Sequence, residues 1–308
     1  MAQQLTFSRQ ARAPFRLDLT VWTLRRRADN LMDRWDGRTY RRVLTFAGEP
    51  CELAVTQEGP AEKAELRAAV TGATLDLSAE RLVAVTLDRI LGLQADLSGF
   101  YRMAASDATL GPLARRFLGL KPPRFLSLFE ALVNGIACQQ VTLTLGIRVL
   151  NRLTEAHGLV FQRSDRLAYA FPRPEDLAGR DPETLRMLGF SRQKARAIVG
   201  LADTMVGKAA DLDDLETLND DEQVDRLCRL RGIGRWTAEY VLLRGFGRLH
   251  VFPGDDVGAQ RNLQRWLGLG ESLDYAGVHR IIERWQPYAG LVYFHLLLKR
   301  LAESGHVA

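Results

Sequence analysis

Cysteine is scarce in this chain of 308 residues: Cys51, Cys138 and Cys228 lie far apart, with no CxxC pair and no iron–sulfur spacing. That pattern excludes a disulfide scaffold and fits a reducing compartment. No apolar run reaches bilayer-spanning length and the N-terminus has no signal-peptide hydrophobic region, so the chain is expected to be soluble and cytoplasmic, with no membrane partner. Internal repeats and low-complexity tracts are missing. None of the five histidines pairs with Cys or acidic neighbours at metal-ligand spacing, so no catalytic metal and no cofactor are expected.

What is present suits a globular protein. Hydrophobic residues make up 46% of the chain, and the length allows two or three compact units. The net charge of +5 and pI near 9.3 favour a polyanionic partner, although the excess is small for this length. Arginine greatly outnumbers lysine, which suits phosphate recognition and equally reflects a GC-rich coding sequence.

The order of patterns predicts an α+β protein. Residues 1–104 read as a mixed α/β unit. Phe15, Leu17, Leu19 and Val21 alternate with polar neighbours and predict a strand, as do Arg38 to Phe46, Glu52 to Thr56 and Glu65 to Val70. Ser78-Ala79-Glu80 opens a helix. Arg25-Arg26-Arg27 reads as a solvated face. Residues 105–308 read as helical throughout, with helices over Leu113 to Leu118, Ser127 to Gln139 and Val141 to His157, and starts at Pro174 and Asp181. Another helix ends near Gly207, Asp213 to Asp221 forms an acidic loop or short helix, and Leu273 to Arg284 and Ala289 to Leu301 close the bundle.

The most informative stretch runs from Leu227 to Asp256. Leu227 and Leu230 fit a helix ending at Gly232, Gly232-Ile233-Gly234 makes a tight turn, and a second helix starts near Arg235, runs to about Leu243 and stops at Gly245. Glycines expose backbone N–H groups, and the second helix adds its positive end, so the hairpin suits a DNA phosphate. Packing alone is the ordinary use of such a corner. Val251-Phe252-Pro253-Gly254-Asp255-Asp256 then sets two carboxylates at the start of another helix, with Asp255 expected as the N-cap.

Leu-x-x-Leu-x-Gly-Ile-Gly-x-x-Thr-Ala resembles the helix-hairpin-helix DNA-binding motif. Together with the downstream Pro-Gly-Asp-Asp, it resembles the helix-hairpin-helix DNA glycosylases, most closely the bacterial 3-methyladenine DNA glycosylase II (AlkA) type. The resemblance covers roughly residues 125 to 300. It implies an N-terminal domain similar to half of a TATA-binding protein, here a scaffold, followed by an all-α glycosylase bundle. It implies Asp256 as the catalytic carboxylate. Gly232, Ile233, Gly234, Arg235 and Thr237 become DNA-binding residues, and Gln140, within Ile136 to Thr142, becomes the wedge that fills the gap left by a flipped base. A polar helix end is the plainer reading of Gln140. Trp236 and Tyr240 share a helix face and by resemblance line the base pocket, although an aromatic stripe is more often core. Leu297 stands where a pocket tryptophan is expected, with Trp285 and Tyr288 as replacements or simply core. Backbone carbonyls around Leu230 and Ile233 are candidates for a monovalent cation.

In bifunctional members a lysine on the hairpin's second helix attacks the sugar. Trp236 holds that position, and no lysine lies between Gly232 and Asp256. The resemblance therefore implies a monofunctional hydrolase that excises alkylated bases from double-stranded DNA and acts as a monomer. An oxidised-purine glycosylase and a non-catalytic helix-hairpin-helix DNA-binding protein are the alternatives.

Overall fold

Alternation between Arg38 and Val70 produces an antiparallel sheet because every second side chain finds the same apolar cover. The computed structural model describes residues 3–307 apart from 74, 76, 164–165, 208–211 and 213. Its sheet has five strands, β1 (Gln3–Gln10), β2 (Arg34–Trp35), β3 (Thr39–Phe46), β4 (Glu49–Glu58) and β5 (Glu65–Gly72), in the order β1-β5-β4-β3-β2. The register sets Tyr40 opposite Val55 and Leu53 opposite Val70. Ala47 and Gly48, both at positive φ, make the two-residue turn between β3 and β4. One sheet face is covered by α1 (Leu17–Arg25) and α2 (Leu77–Leu91), with Phe15, Leu17, Val21, Val83 and Leu87 in the shared core.

The strand expected over Phe15 to Val21 is instead the start of α1. This helix is buried on two sides. Leu17, Val21 and Leu24 face the sheet, while Leu19 enters a separate cluster with Phe100, Phe117 and Phe294. Burial on both faces places apolar residues at odd positions and mimics strand alternation. The solvated face expected of Arg25-Arg26-Arg27 is also overturned: Arg25 and Arg26 are buried, and Arg26 adopts a left-handed conformation at the end of α1.

The helices that follow are α3 (Ser98–Ser106), α4 (Leu110–Arg116), α5 (Leu128–Cys138), α6 (Leu143–His157), α7 (Pro174–Leu177), α8 (Pro182–Met187) and α9 (Arg192–Val206). After them come α10 (Asp220–Cys228), α11 (Arg235–Val241), α12 (Val257–Leu267), α13 (Tyr275–Ile282) and α14 (Ala289–Glu303). Their starts follow the cap chemistry, with Ser127, Asp181, Ser191 and Asn219 each accepting a first-turn amide. Residue 104 lies inside α3. Asp213 falls outside the described residues, and the acidic segment after it forms a short turn at Leu215–Thr217 before α10. The region is not helical throughout: β6 (Val160–Arg163) and β7 (Arg166–Tyr169) form a small hairpin whose Phe161 and Ala168 pack on Val43 of the sheet.

Helices α5, α6, α9 and α11 build one apolar cluster, and α3, α4, α12, α13 and α14 build another. The sheet is tied to the first through a buried ionic group. Arg42 on β3 donates to Asp33 at 2.8 Å and to Glu130 on α5, and Tyr40 also donates to Asp33. Burial pushes the Glu130 carboxyl up, while Arg42 pulls it down. Removing Glu130 leaves Arg42 with Asp33 as its ionic partner, so Glu130→Ala is expected to cost about 1.5–3 kcal/mol, read as a lowered denaturation midpoint, with Glu130→Gln costing less.

Candidate nucleic-acid interface and active site

The hairpin is built as its glycines require. After α10, Gly232 has φ +82°, and a Cβ there would stand 2.7 Å from the Cβ of Ala197. Gly234 is the N-cap of α11 and has open space at its Cα, so the first-turn amides face outward unobstructed. Ile233 plugs the turn into the first apolar cluster. Leu230 carbonyl accepts the Ile233 amide at 3.1 Å. The helix ends later than expected: α11 passes into a π-helical segment, Leu242–Phe246, and stops at Gly247, which is left-handed. Gly245 is instead a packing residue, where a Cβ would approach Ala131 at 3.2 Å.

Thr237 does not present its side chain to solvent. It packs against Gly135, and its hydroxyl accepts from the Gln139 side chain at 2.8 Å, so only its backbone N–H is free to face a phosphate. The same Gln139 amide donates to the Gly232 carbonyl at 2.8 Å, and Lys194 donates to the Ala137 and Gln139 carbonyls. These bonds clamp the end of α5 to the hairpin. Gln140 then stands exposed at φ +52°, a conformation uncommon for a residue with a side chain.

Trp236 and Tyr240, one turn apart on α11, stack with centroids 5.4 Å apart at 26°. Tyr240 is backed by Phe125, and its hydroxyl accepts from Arg26 at 2.8 Å. The same guanidinium donates to Asn134 on α5 at 2.7 Å. Arg244 lies over Phe125, Tyr240 and Phe294, and donates to the Thr23 carbonyl. Two buried cations from opposite ends of the chain therefore support the aromatic wall. The sequence offered no periodic signal for either, since both sit in arginine-rich stretches.

Asp256 is the N-cap of α12, which corrects the expectation for Asp255. The first helical residue is Val257, so Asp256 holds the cap and its Oδ1 accepts the Ala259 amide at 2.9 Å. Its Oδ2 accepts the Tyr293 hydroxyl at 3.1 Å. Burial, followed by the Asp256 charge, holds Tyr293 well above the usual tyrosine range and keeps it a donor. Burial likewise raises Tyr240, with Asp256 contributing, so both phenols lie within the field of this carboxylate. Tyr293 was missed in the sequence because it belongs to α14, in a run of apolar residues that reads as core. Leu297 stands one turn beyond it, half-buried at the edge of the second cluster, while Trp285 is core. Asp255 pairs with Arg235 at 2.7 Å, and the Arg235 guanidinium lies 3.8 Å from the Tyr275 ring centroid.

Trp236, Tyr240 and Asp256 thus share one region with the hairpin, joined by Tyr293, Arg26 and Arg244. Among the described residues no group of three His, Cys, Asp or Glu side chains could hold a metal ion, and no helix is long and apolar enough to cross a membrane.

Comparison with known proteins places the chain in a family. Residues 133–287 match the HhH-GPD superfamily base excision DNA repair protein family. A Bacillus subtilis DNA-3-methyladenine glycosylase is 32% identical over 211 residues, spanning 67% of this chain and 69% of that protein. DNA-3-methyladenine glycosylase 2 of Escherichia coli is 30% identical over 194 residues, or 62% of this chain and 64% of the relative. In three dimensions the chain matches a 3-methyladenine DNA-glycosylase from Archaeoglobus fulgidus with a TM-score of 0.82 and 26% identity, over 95% of this chain and 97% of that one. A family match over half the chain, on a fold that places the hairpin beside a capped carboxylate, makes this protein a member of the HhH-GPD superfamily of base excision DNA repair proteins.

Proposed function

We propose that this chain is a monofunctional DNA glycosylase that excises alkylated bases of the 3-methyladenine and 7-methylguanine type, leaving an abasic site. The observation that carries the reading is Asp256, a carboxylate held by two donors beside an aromatic pair and a glycine hairpin. The relatives named above for 3-methyladenine support the substrate class.

The amides of Gly232, Gly234, Arg235 and Thr237 hold a phosphate of the damaged strand, while Ile233, whose own amide is taken by the Leu230 carbonyl, anchors the turn in the core. Arg235, paired with Asp255, adds charge, and the carbonyls of Leu230 and Ile233 would hold a monovalent cation there. The donor set fits a hard cation, because the Leu230 oxygen keeps a second lone pair after accepting the Ile233 amide. Gln140, projecting from its left-handed position, fills the gap as the nucleotide flips out, a step that costs a few kcal/mol of stacking. The base enters beside Trp236, Tyr240 and Leu297. A cationic alkylated purine gains about 0.5–2 kcal/mol from aromatic faces, and the Arg26 and Arg244 charges behind Tyr240 offset part of it. Binding is therefore permissive, and selectivity rests on the weakened glycosidic bond of the lesion. As the bond breaks, positive charge grows on C1′. The Asp256 carboxylate stabilises it and orients the attacking water. The sheet under α1 and α2 supports residues 1–104 as a scaffold resembling half of a TATA-binding protein, with 105–308 as the glycosylase region. The enzyme acts as a monomer in the bacterial cytosol.

Asp256→Asn is expected to lower 3-methyladenine release from methylated duplex DNA by about 10²-fold or more, with DNA affinity retained. Equal release by wild type and variant would remove the chemistry from Asp256. Borohydride added during reaction with abasic DNA should trap no covalent adduct, since Trp236 occupies the lysine position; an adduct would overturn the monofunctional reading. Gly232→Ala meets both the positive φ and Ala197, so it should lower stability by about 1–3 kcal/mol and weaken DNA binding together.

A further inference from the structure

Glu239 is buried on α11, the second helix of the hairpin. Its Oε1 accepts the Tyr275 hydroxyl at 2.8 Å, and its Oε2 accepts the Gly254 amide at 3.1 Å. Gly254 lies two residues before Asp256, in the loop whose path sets the carboxylate. The loop has no slack at this point. A Cβ on Gly254 would meet the Tyr275 ring at 2.8 Å and His279 Nε2 at 3.0 Å, and the Gly254 carbonyl accepts the Gln260 side chain at 2.8 Å. One turn nearer the hairpin, Arg235 grips Asp255 and lies over the same Tyr275 ring.

The hairpin helix and the catalytic loop are therefore bolted together at two points, with Tyr275 between them. We propose that Glu239 is a positioning residue: it sets the carboxylate of Asp256 relative to the hairpin that holds the phosphate, so that C1′ of a bound nucleotide meets Oδ. This rests on the assignment of Asp256 above and deepens it. A buried carboxylate is costly unless its lone pairs are used, and here one oxygen holds the loop at Gly254 and the other holds Tyr275 at the start of α13. Burial pushes Glu239 up, and its hydrogen bonds from Tyr275 and Gly254 oppose that. Tyr275 is pushed up to about 12 by burial and by Glu239, so it remains the donor. Nothing in the spacing of the sequence marks Glu239, because its partners lie 15 and 36 residues further on.

The test reads the place of the carboxylate without base release. Affinities of the full-length protein are measured for two duplexes, one with a cationic pyrrolidine abasic analogue and one with a neutral tetrahydrofuran analogue. Wild type should prefer the cationic duplex, and Asp256→Asn should lose that preference. Glu239→Ala should lose about tenfold or more of it, since an ångström of misplacement costs up to about 10²-fold, while tetrahydrofuran affinity stays within about threefold. Glu239→Gln should recover most of the preference, its amide oxygen accepting Gly254 and its NH2 donating to Tyr275 Oη. If Glu239→Ala fails to fold, Tyr275→Phe removes one of the two hydrogen bonds that fix the Glu239 carboxylate and should give an intermediate loss. An unchanged preference in Glu239→Ala or, where that fails to fold, in Tyr275→Phe, or an equal weakening on both duplexes, would overturn the proposal. No preference in wild type would overturn it together with the role of Asp256. A wild type that prefers the cationic duplex but releases no alkylated base would leave the positioning role standing and defeat only the proposed substrate.

Discussion

Two buried guanidiniums constrain this molecule most tightly. Arg26 and Arg244 are fully enclosed, and a charge removed from water must be met by hydrogen bonds or opposite charge. Arg26 meets it in part with the Tyr240 hydroxyl and the Asn134 side chain, and Arg244 in part with the Thr23 carbonyl and aromatic faces, while Arg26 Nε and Arg244 Nε and Nη1 have no hydrogen-bond partner among the described residues. Each bond joins α1, at the start of the chain, to a helix more than a hundred residues later. The aromatic wall, a stack within α11, is therefore backed by the end of α1. The Arg42–Asp33–Glu130 group forms a similar join between β3 and α5. Buried polar groups of this kind are poor sources of net stability but strong filters of arrangement, since any misdocking strands them.

From that frame the chemistry follows with little further apparatus. Asp256 is the helix cap and the carboxylate proposed to react, with the cap bond orienting one oxygen and Tyr293 the other. A short helix-capping contact is a rigid mount, because the backbone amide that makes it belongs to the helix itself. On the opposite side of the site, Gln139 and Lys194 lock the end of α5 to the hairpin and push Gln140 outward. The reacting groups are carried by helix ends and a tight turn, where backbone and side chain move least independently.

Legibility in the sequence divided along the length scale of the interactions. Strands β3, β4 and β5, the helix starts at Pro174 and Pro182, and the hairpin Gly232-Ile233-Gly234 were readable because alternation, caps and glycine act within a few residues. The small β6–β7 hairpin was not, since its apolar residues answer to Val43 far upstream. The error at Phe15 to Val21 has the same origin: Leu19 and Val21 serve different cores. The exchange of roles between Asp255 and Asp256 is a slip of one residue in the helix start, enough to turn an expected cap into an ion pair with Arg235.

By itself the sequence determined the hairpin, the paired carboxylates, the aromatic stripe and the absence of a lysine at Trp236, because each is a matter of residue type at close spacing. Only the tertiary structure decided that Arg26 is buried, that Tyr293 reaches Asp256, that Thr237 turns inward to Gln139, and that Glu239 grips the loop at Gly254. Those contacts join residues separated by as few as 15 and as many as 214 positions. Their partners are chosen by the docking of helices and sheet, and no local period records that choice.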